Sequence, residues 1–195
     1  DGKTAGEYAP IFFKQAKYTL LDQNTFWLCE KPDSVGMVGW DAALTRIATW
    51  VKLQDKKTGQ ILMVVNTHFD HIGTEARRNS ALLIIEKIKE IVGTSPAILT
   101  GDFNVSEDWD AYKTITNNEF ILKDAHKVAG KRTGVDFTYH NFGKIPAEKC
   151  EKIDFIFVTP QIRVISSYIP FSQLNDTLFL SDHNPEIVEL EIEKS

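Results

Sequence analysis

Residues 75–92 carry the plainest periodicity in the chain. Ala81, Ile84, Ile85, Ile88, Ile91 and Val92 recur at three- and four-residue spacing, while Glu86, Lys87, Lys89 and Glu90 fill the opposite face. This predicts an amphipathic helix with Thr74 as N-cap and Gly93 as its stop. Residues 47–53 and 61–65 have strand composition and are joined by the turn Lys56-Lys57-Thr58-Gly59, which predicts a hairpin. Antiparallel pairing would bring Arg46, at the start of the first strand, near Asn66-Thr67-His68, at the end of the second. Ala97-Ile98-Leu99-Thr100 reads as a buried strand directly after the helix, so strand, helix and strand make a crossover unit.

The remaining pattern is read in the same way. Residues 11–13 read as a short buried strand, and 18–21 and 25–29 as strands rich in β-branched and aromatic residues. Residues 31–39, with Pro32, Gly36 and Gly39, read as a loop. Ser106 is a candidate cap for a shorter helix over 109–115, and 118–150 reads as irregular. Residues 153–158 form a strand with Asp154 near its start, where a carboxylate costs free energy unless paired or solvated. In the last strand, 186–192, Val188, Leu190 and Ile192 face inward and Glu189 and Glu191 outward. Strands alternate with two or three helices, without repeat or linker, so residues 1–195 read as one mixed α/β domain.

Length and composition agree with a soluble domain large enough for its own core. No apolar run is long enough to span a membrane, and the first residues lack a signal-peptide pattern. That assigns no compartment, and export stays open. Cys29 and Cys150 lack metal-ligand spacing and read as unpaired thiols. The net charge is −5, and Arg77-Arg78 and Lys131-Arg132 are only short basic clusters. The absence of a basic stripe favours a small or exposed phosphoester over a long duplex.

Candidate chemistry gathers at the strand ends. In Gly101-Asp102-Phe103-Asn104, Asp102 and Asn104 sit two apart and share a face of extended backbone. Two readings stand: a pair holding water or a phosphate oxygen, or an Asx turn. Arg46, His68, Asp154, Asp182 and His183 recur at comparable positions. Phosphoester hydrolysis needs this set, because its transition state spreads negative charge over phosphoryl oxygens. Carboxylates suit Mg²⁺ or Mn²⁺. Water must lose a proton, which suits a carboxylate or a His held by a second carboxylate, and Asp154 can orient His183. His-Glu-x-x-His, Gly-x-Ser-x-Gly and phosphate-loop motifs are absent from the sequence.

Asn66-Thr67-His68, Gly101-Asp102-Phe103-Asn104, Ile153-Asp154-Phe155-Ile156 and Ser181-Asp182-His183-Asn184-Pro185 stand in this order along the chain. They resemble the motifs of the endonuclease/exonuclease/phosphatase superfamily, the fold of pancreatic deoxyribonuclease, abasic-site endonucleases, neutral sphingomyelinases and inositol phosphate phosphatases. The resemblance implies a four-layer α/β/β/α sandwich of two mixed, mainly antiparallel sheets. It also implies a Mg²⁺- or Mn²⁺-dependent phosphodiesterase or phosphatase acting by direct water attack. Asp102 and Asn104 would position water and phosphate, and Asp182, Asp102 and Asn104 together would face the metal. His183, oriented by Asp154, and His68 would contact the phosphate, with Arg46 nearby. Glu7 resembles the acidic residue that orients the first His, and a surface Glu is the equal alternative.

Substrate contacts are expected in the loop 137–143, with His140 and Asn141, and in 29–41, with Trp40. Ordinary packing is the equal reading of those aromatics. One departure stands out. The family begins with a strand carrying an Asn, a helix, and a strand ending in Gln-Glu, whose Glu is the principal metal ligand. No such segment precedes Glu7 here, so an incomplete domain and an incomplete metal site are expected. A small phosphoester or lipid headgroup is the favoured partner. A nuclease and a non-catalytic binding module that keeps the fold are the alternatives.

Overall fold

Three of the strands that form the core share one short rhythm, a polar residue followed by a phenylalanine. His68-Phe69, Asp102-Phe103 and Asp154-Phe155 place the polar side chain on one side of the backbone and the ring on the other. Phe103 packs edge-on against Phe69 at 4.9 Å and against Phe155 at 6.0 Å, and all three rings are buried. The polar partners are thereby left at the rim.

The computed structural model describes residues 4–93, 95–117, 122–175 and 178–192. The strands are β1 (Tyr18–Trp27), β2 (Ile47–Asp55), β3 (Ile61–His68), β4 (Ala97–Asp102), β5 (Lys123–Asp124), β6 (Lys131–Gly134), β7 (Asp154–Val158), β8 (Ile162–Ile169), β9 (Gln173–Asn175), β10 (Leu178–Phe179) and β11 (Ile187–Ile192). The α-helices are α1 (Thr74–Val92), α2 (Asp110–Thr116) and α3 (Ala125–Val128). The large sheet has the order β1-β2-β3-β4-β7-β5 and a smaller one the order β11-β8-β6. Only β3 and β4 run parallel in the large sheet, joined by α1 as a crossover. Its helix-side face packs Trp50, Met63, Leu99 and Phe155 against Ala81, Ile84 and Ile88. Its other face packs Leu62 and Val158 against Ile162 and Val164, with Val188, Leu190 and Ile192 half-buried beside them. With β9 and β10 paired as a separate two-stranded sheet, this is the mixed α/β architecture that the motifs imply.

Several local expectations are corrected. Residues 11–13 form no strand: Phe12 is 91% exposed, and the segment is held where Asn66 Nδ2 donates to the Pro10 carbonyl at 3.0 Å. The two expected strands at 18–21 and 25–29 are one strand, because a bulge between Leu20 and Asp22 absorbs the polar break. Thr74 is the first residue of α1 rather than its cap, which is Gly73. Asp41 does the capping from a distant loop, accepting from the Glu75 and Ala76 amides at 3.2 and 2.7 Å. Ser106 contributes only its carbonyl to the turn before α2, accepting from Trp109 N at 3.2 Å. The expected irregular stretch contains β5, α3 and β6, and its residues 118–121, like 1–3, lie outside the described residues. Strand β8 was not foreseen. The hairpin, the crossover helix, its Gly93 stop and the two free cysteines match expectation.

Candidate active site

Strand register builds the site. His68 of β3 is the ladder partner of Asp102 in β4, and Asp102 is the partner of Asp154 in β7. Three polar side chains therefore stand in one row across three strands, at one end of the sheet. The row depends on Gly101. Its φ of +154° and the 2.2 Å that would separate an added Cβ from the Thr67 carbonyl oxygen leave no room for a side chain. Asn104 follows with a left-handed φ of +49°. Its amide N donates to Asp102 Oδ1 at 2.8 Å and its Nδ2 to the Phe69 carbonyl at 3.0 Å. The Asx-turn reading of Asp102-Phe103-Asn104 is therefore present in the structure.

His183 enters from the segment before β11. Its Nδ1 lies 2.7 Å from Asp154 Oδ2 and its Nε2 4.0 Å from Asp102 Oδ2. The Tyr139 ring lies 4.9 Å from the imidazole, and Tyr139 bridges to the His183 backbone. On the other flank, His68 Nε2 is 3.4 Å from Asp102 Oδ2 and its Nδ1 3.3 Å from Glu7 Oε2. Glu7 Oε2 also pairs with Arg46, whose second terminal nitrogen lies 3.3 Å from His71 Nδ1. An arc of contacts thus runs Arg46, Glu7, His68, Asp102, His183, Asp154. His68, Asp102, Asp154 and His183 open on a cleft of about 710 Å³ that Asn66, Thr100, Ser172 and Leu180 also line.

The two imidazoles are biased in opposite directions. Burial pushes His183 toward the neutral form, but the Asp154 hydrogen bond and the charges of Asp154, Asp102 and Asp182 outweigh it and raise its pKa. Burial and the Arg46 charge lower that of His68, against the pull of Glu7 and Asp154. The surroundings thus favour the protonated form at His183 and the neutral form at His68. Burial, together with the Asp154 charge, pushes the Asp102 carboxyl up to about 6, against the Asn104 amide and the charges of His183 and Arg46.

Asp102, Asp154 and His183 offer three donor atoms within 4.8 Å of one another. Carboxylate oxygens in such a cluster are donors that fit a hard divalent cation. Asp182 is not in that cluster. Its carbonyl accepts from His140 N and Asn141 N at 3.1 and 3.2 Å, and its Oδ1 from Ser181 at 3.3 Å.

The other candidates are placed as follows. His140 is 1% exposed and packs among Phe137, Phe171 and Phe179, so it supports the loop from behind. Asn141 has a left-handed φ of +49°. Trp40, also at +49°, donates its amide to Glu30 Oε1 at 3.1 Å and does not line the cleft. Sequence reasoning missed His71 and Asp70, for which the alternation of His68 and Asp70, with His71 beside them, was the available signal; Tyr139 lies in the loop 137–143 expected to supply contacts but was not singled out there.

Comparison with known proteins assigns the family. The family profile described as Endonuclease/Exonuclease/phosphatase family matches residues 10–183. The chain belongs to that family. It is 65% identical to an endonuclease/exonuclease/phosphatase from Bacteroides vulgatus, with a TM-score of 0.95 over 99% of this chain and 73% of that one. It is 34% identical to a mannosyl-6-phosphatase from Bacteroides thetaiotaomicron, with a TM-score of 0.84 over 92% of this chain and 69% of that one. An uncharacterized protein of Acanthamoeba polyphaga mimivirus is 30% identical over 175 residues, 85% of this chain. The chain spans 63% of that relative's length.

Proposed function

We propose that this chain carries the working residues of a divalent-metal-dependent phosphoesterase that acts by direct attack of water on a small phosphoester. The observation that carries the reading is the row His68–Asp102–Asp154 with His183 bonded to Asp154 at 2.7 Å. His183, held protonated, donates from Nε2 to a phosphoryl oxygen as negative charge builds there. Asp102, steadied by the Asn104 amide, accepts the proton of the attacking water. Arg46 and Glu7 hold the His68 ring in place as the second phosphate contact.

Asp102 and Asp154, the two carboxylates of the cluster with His183, would hold the cation, while His183 stays bonded to Asp154. A bound dication supplies charge neutralisation at the phosphoryl group. The 34% identity to a mannosyl-6-phosphatase and the acidic net charge support a small polar substrate such as a sugar phosphate over a long nucleic acid. Among the described residues no helix is long and apolar enough to cross a membrane.

The test is hydrolysis by the full-length protein with Mg²⁺ of bis-p-nitrophenyl phosphate, hexose 6-phosphates and a DNA duplex. Turnover of the small esters is expected, falling at least a hundredfold in His183→Ala and in Asp102→Ala. Faster turnover of the duplex would favour the nuclease reading. Tight binding of the small esters without turnover would leave a binding module.

A further inference from the structure

A second pair of side chains joins the same two segments as the Asp154–His183 bond, and nothing in the proposed chemistry uses it. Lys152 Nζ and Glu186 Oε2 are 2.9 Å apart, with their side chains only 6% and 3% exposed. The contact is one of charge rather than of direction, since Glu186 Oε2 lies off the line of a well-aimed hydrogen bond. We propose that this buried ion pair is a positioning device that holds His183 against Asp154. The inference rests on the reading of that dyad as the phosphate-contacting machinery.

The geometry is that of a closed ring. Lys152 stands two residues before Asp154, and Glu186 three residues after His183. The two segments are therefore tied twice, once through the dyad and once through the ion pair. Thr138, fully buried, crosses the middle of the ring. Its Oγ1 accepts from the Ile153 and Asp154 amides at 3.0 and 3.1 Å, and its carbonyl from Asn184 N at 2.7 Å.

Lys152 Nζ also donates to the Asp154 carbonyl at 2.8 Å and sits 3.9 Å from the centre of the Phe155 ring. Glu186 is fixed from the far side, where its Oε1 accepts from Ser167 Oγ at 3.1 Å and Ser167 meets His126 Nδ1 at 2.9 Å. Each charge is thus anchored to a different element, β7 for Lys152 and β8 for Glu186. Moving either one swings the backbone that carries one member of the dyad. Stability alone does not account for such a pair, because well-packed apolar residues of the same volume commonly serve as well in a buried position.

That contrast supplies the test. The full-length parent, the double variant Lys152→Met/Glu186→Leu and the single variant Glu186→Gln are compared by thermal melting, by kcat and KM for bis-p-nitrophenyl phosphate with Mg²⁺, and by the imidazole proton resonance of His183 Nδ1. The double variant is expected to melt close to the parent. Its kcat should fall about tenfold or more, with KM within about twofold, and the hydrogen-bonded His183 resonance should move or broaden. Parent-like kcat and an unmoved resonance would overturn the proposal and leave the pair as packing. If the double variant does not fold, Glu186→Gln decides by the same two readouts, since it keeps the shape and the Ser167 bond. A parent that hydrolyses no phosphoester would instead overturn the proposed function, and the His183 resonance would still decide the positioning role.

Discussion

Asp70→Asn is expected to destabilise the chain by about 3 kcal/mol at neutral pH, in a way that fades as the pH falls. Asp70 is 2% exposed, and each of its oxygens accepts two backbone amides. Oδ1 takes Ile72 N and Gly73 N at 2.9 and 2.7 Å, while Oδ2 takes Ala43 N and Leu44 N, both at 3.1 Å. The carboxylate thereby stitches the loop before Arg46 to the loop after His68. Burial alone would raise its pKa, but the four amides outweigh burial and hold it at about 2, against an ordinary 3.8. That gap corresponds to roughly 2 kcal/mol of stability.

Because the folded pKa is the lower one, the contribution is fully present above pH 5 and is lost as the pH falls toward 2. At pH 3 about half of it remains. An Asn keeps one acceptor and turns an amide against the other pair of N–H groups, so two buried donors lose their partner. Each such loss costs about 1–3 kcal/mol, which brings the expected total to about 3. Urea unfolding of parent and variant, followed by tryptophan fluorescence at pH 7 and at pH 3, measures the gap directly. A variant within about 0.5 kcal/mol of the parent at pH 7, or a gap equally large at both pH values, would refute the reasoning.

Three further outcomes follow from the site. Asp154→Asn should lower kcat/KM on bis-p-nitrophenyl phosphate about 10- to 100-fold, since it removes the charged acceptor 2.7 Å from His183 Nδ1, while the melting temperature stays near that of the parent. Gly101→Ala places a Cβ 2.2 Å from the Thr67 carbonyl oxygen, so a loss of about 2 kcal/mol or more is expected by urea unfolding; an unchanged midpoint would contradict the register argument. Treating the full-length protein with EDTA should abolish hydrolysis, and excess Mg²⁺ should restore it, with the far-ultraviolet circular dichroism unchanged throughout.

The sequence announces features set by a residue and its near neighbours. The stripe of Ala81, Ile84, Ile85 and Ile88 needed only helical period to be read, and it is buried as read. Hairpin pairing alone implies that Arg46 lies near His68, while His68 and Asp102 share only their place at strand ends in the sequence; the parallel pairing of β3 with β4 makes them neighbours. Features that join distant segments left no such trace. Asp41 caps a helix more than thirty residues away, and the chain near Thr74 carries no sign of it. Strand β8 was missed although its buried positions, Ile162, Val164, Ser167 and Ile169, are present in the sequence, because Ser166-Ser167 interrupts the apolar alternation. Serine is tolerated there because Ser167 Oγ is bonded on both sides, to His126 and to Glu186.

Residues 11–13 show the converse error. Three large apolar residues in a row suggest a buried strand, yet Phe12 stands exposed, since a strand exists only where a neighbour completes its hydrogen bonds. The same division runs through the site. Which polar residues sit at strand ends is local information. That Asp154 lies beside Asp102, however, follows from β7 pairing with β4 rather than with its neighbours in sequence. That His183 then meets Asp154 rather than solvent follows from Tyr139, Thr138 and the Lys152–Glu186 pair. The residues of the chemistry are therefore legible one at a time, while the protonation each adopts belongs to the assembled sheet. An isolated His183 would titrate as an ordinary imidazole; only β7 beside β4 places two carboxylates against it.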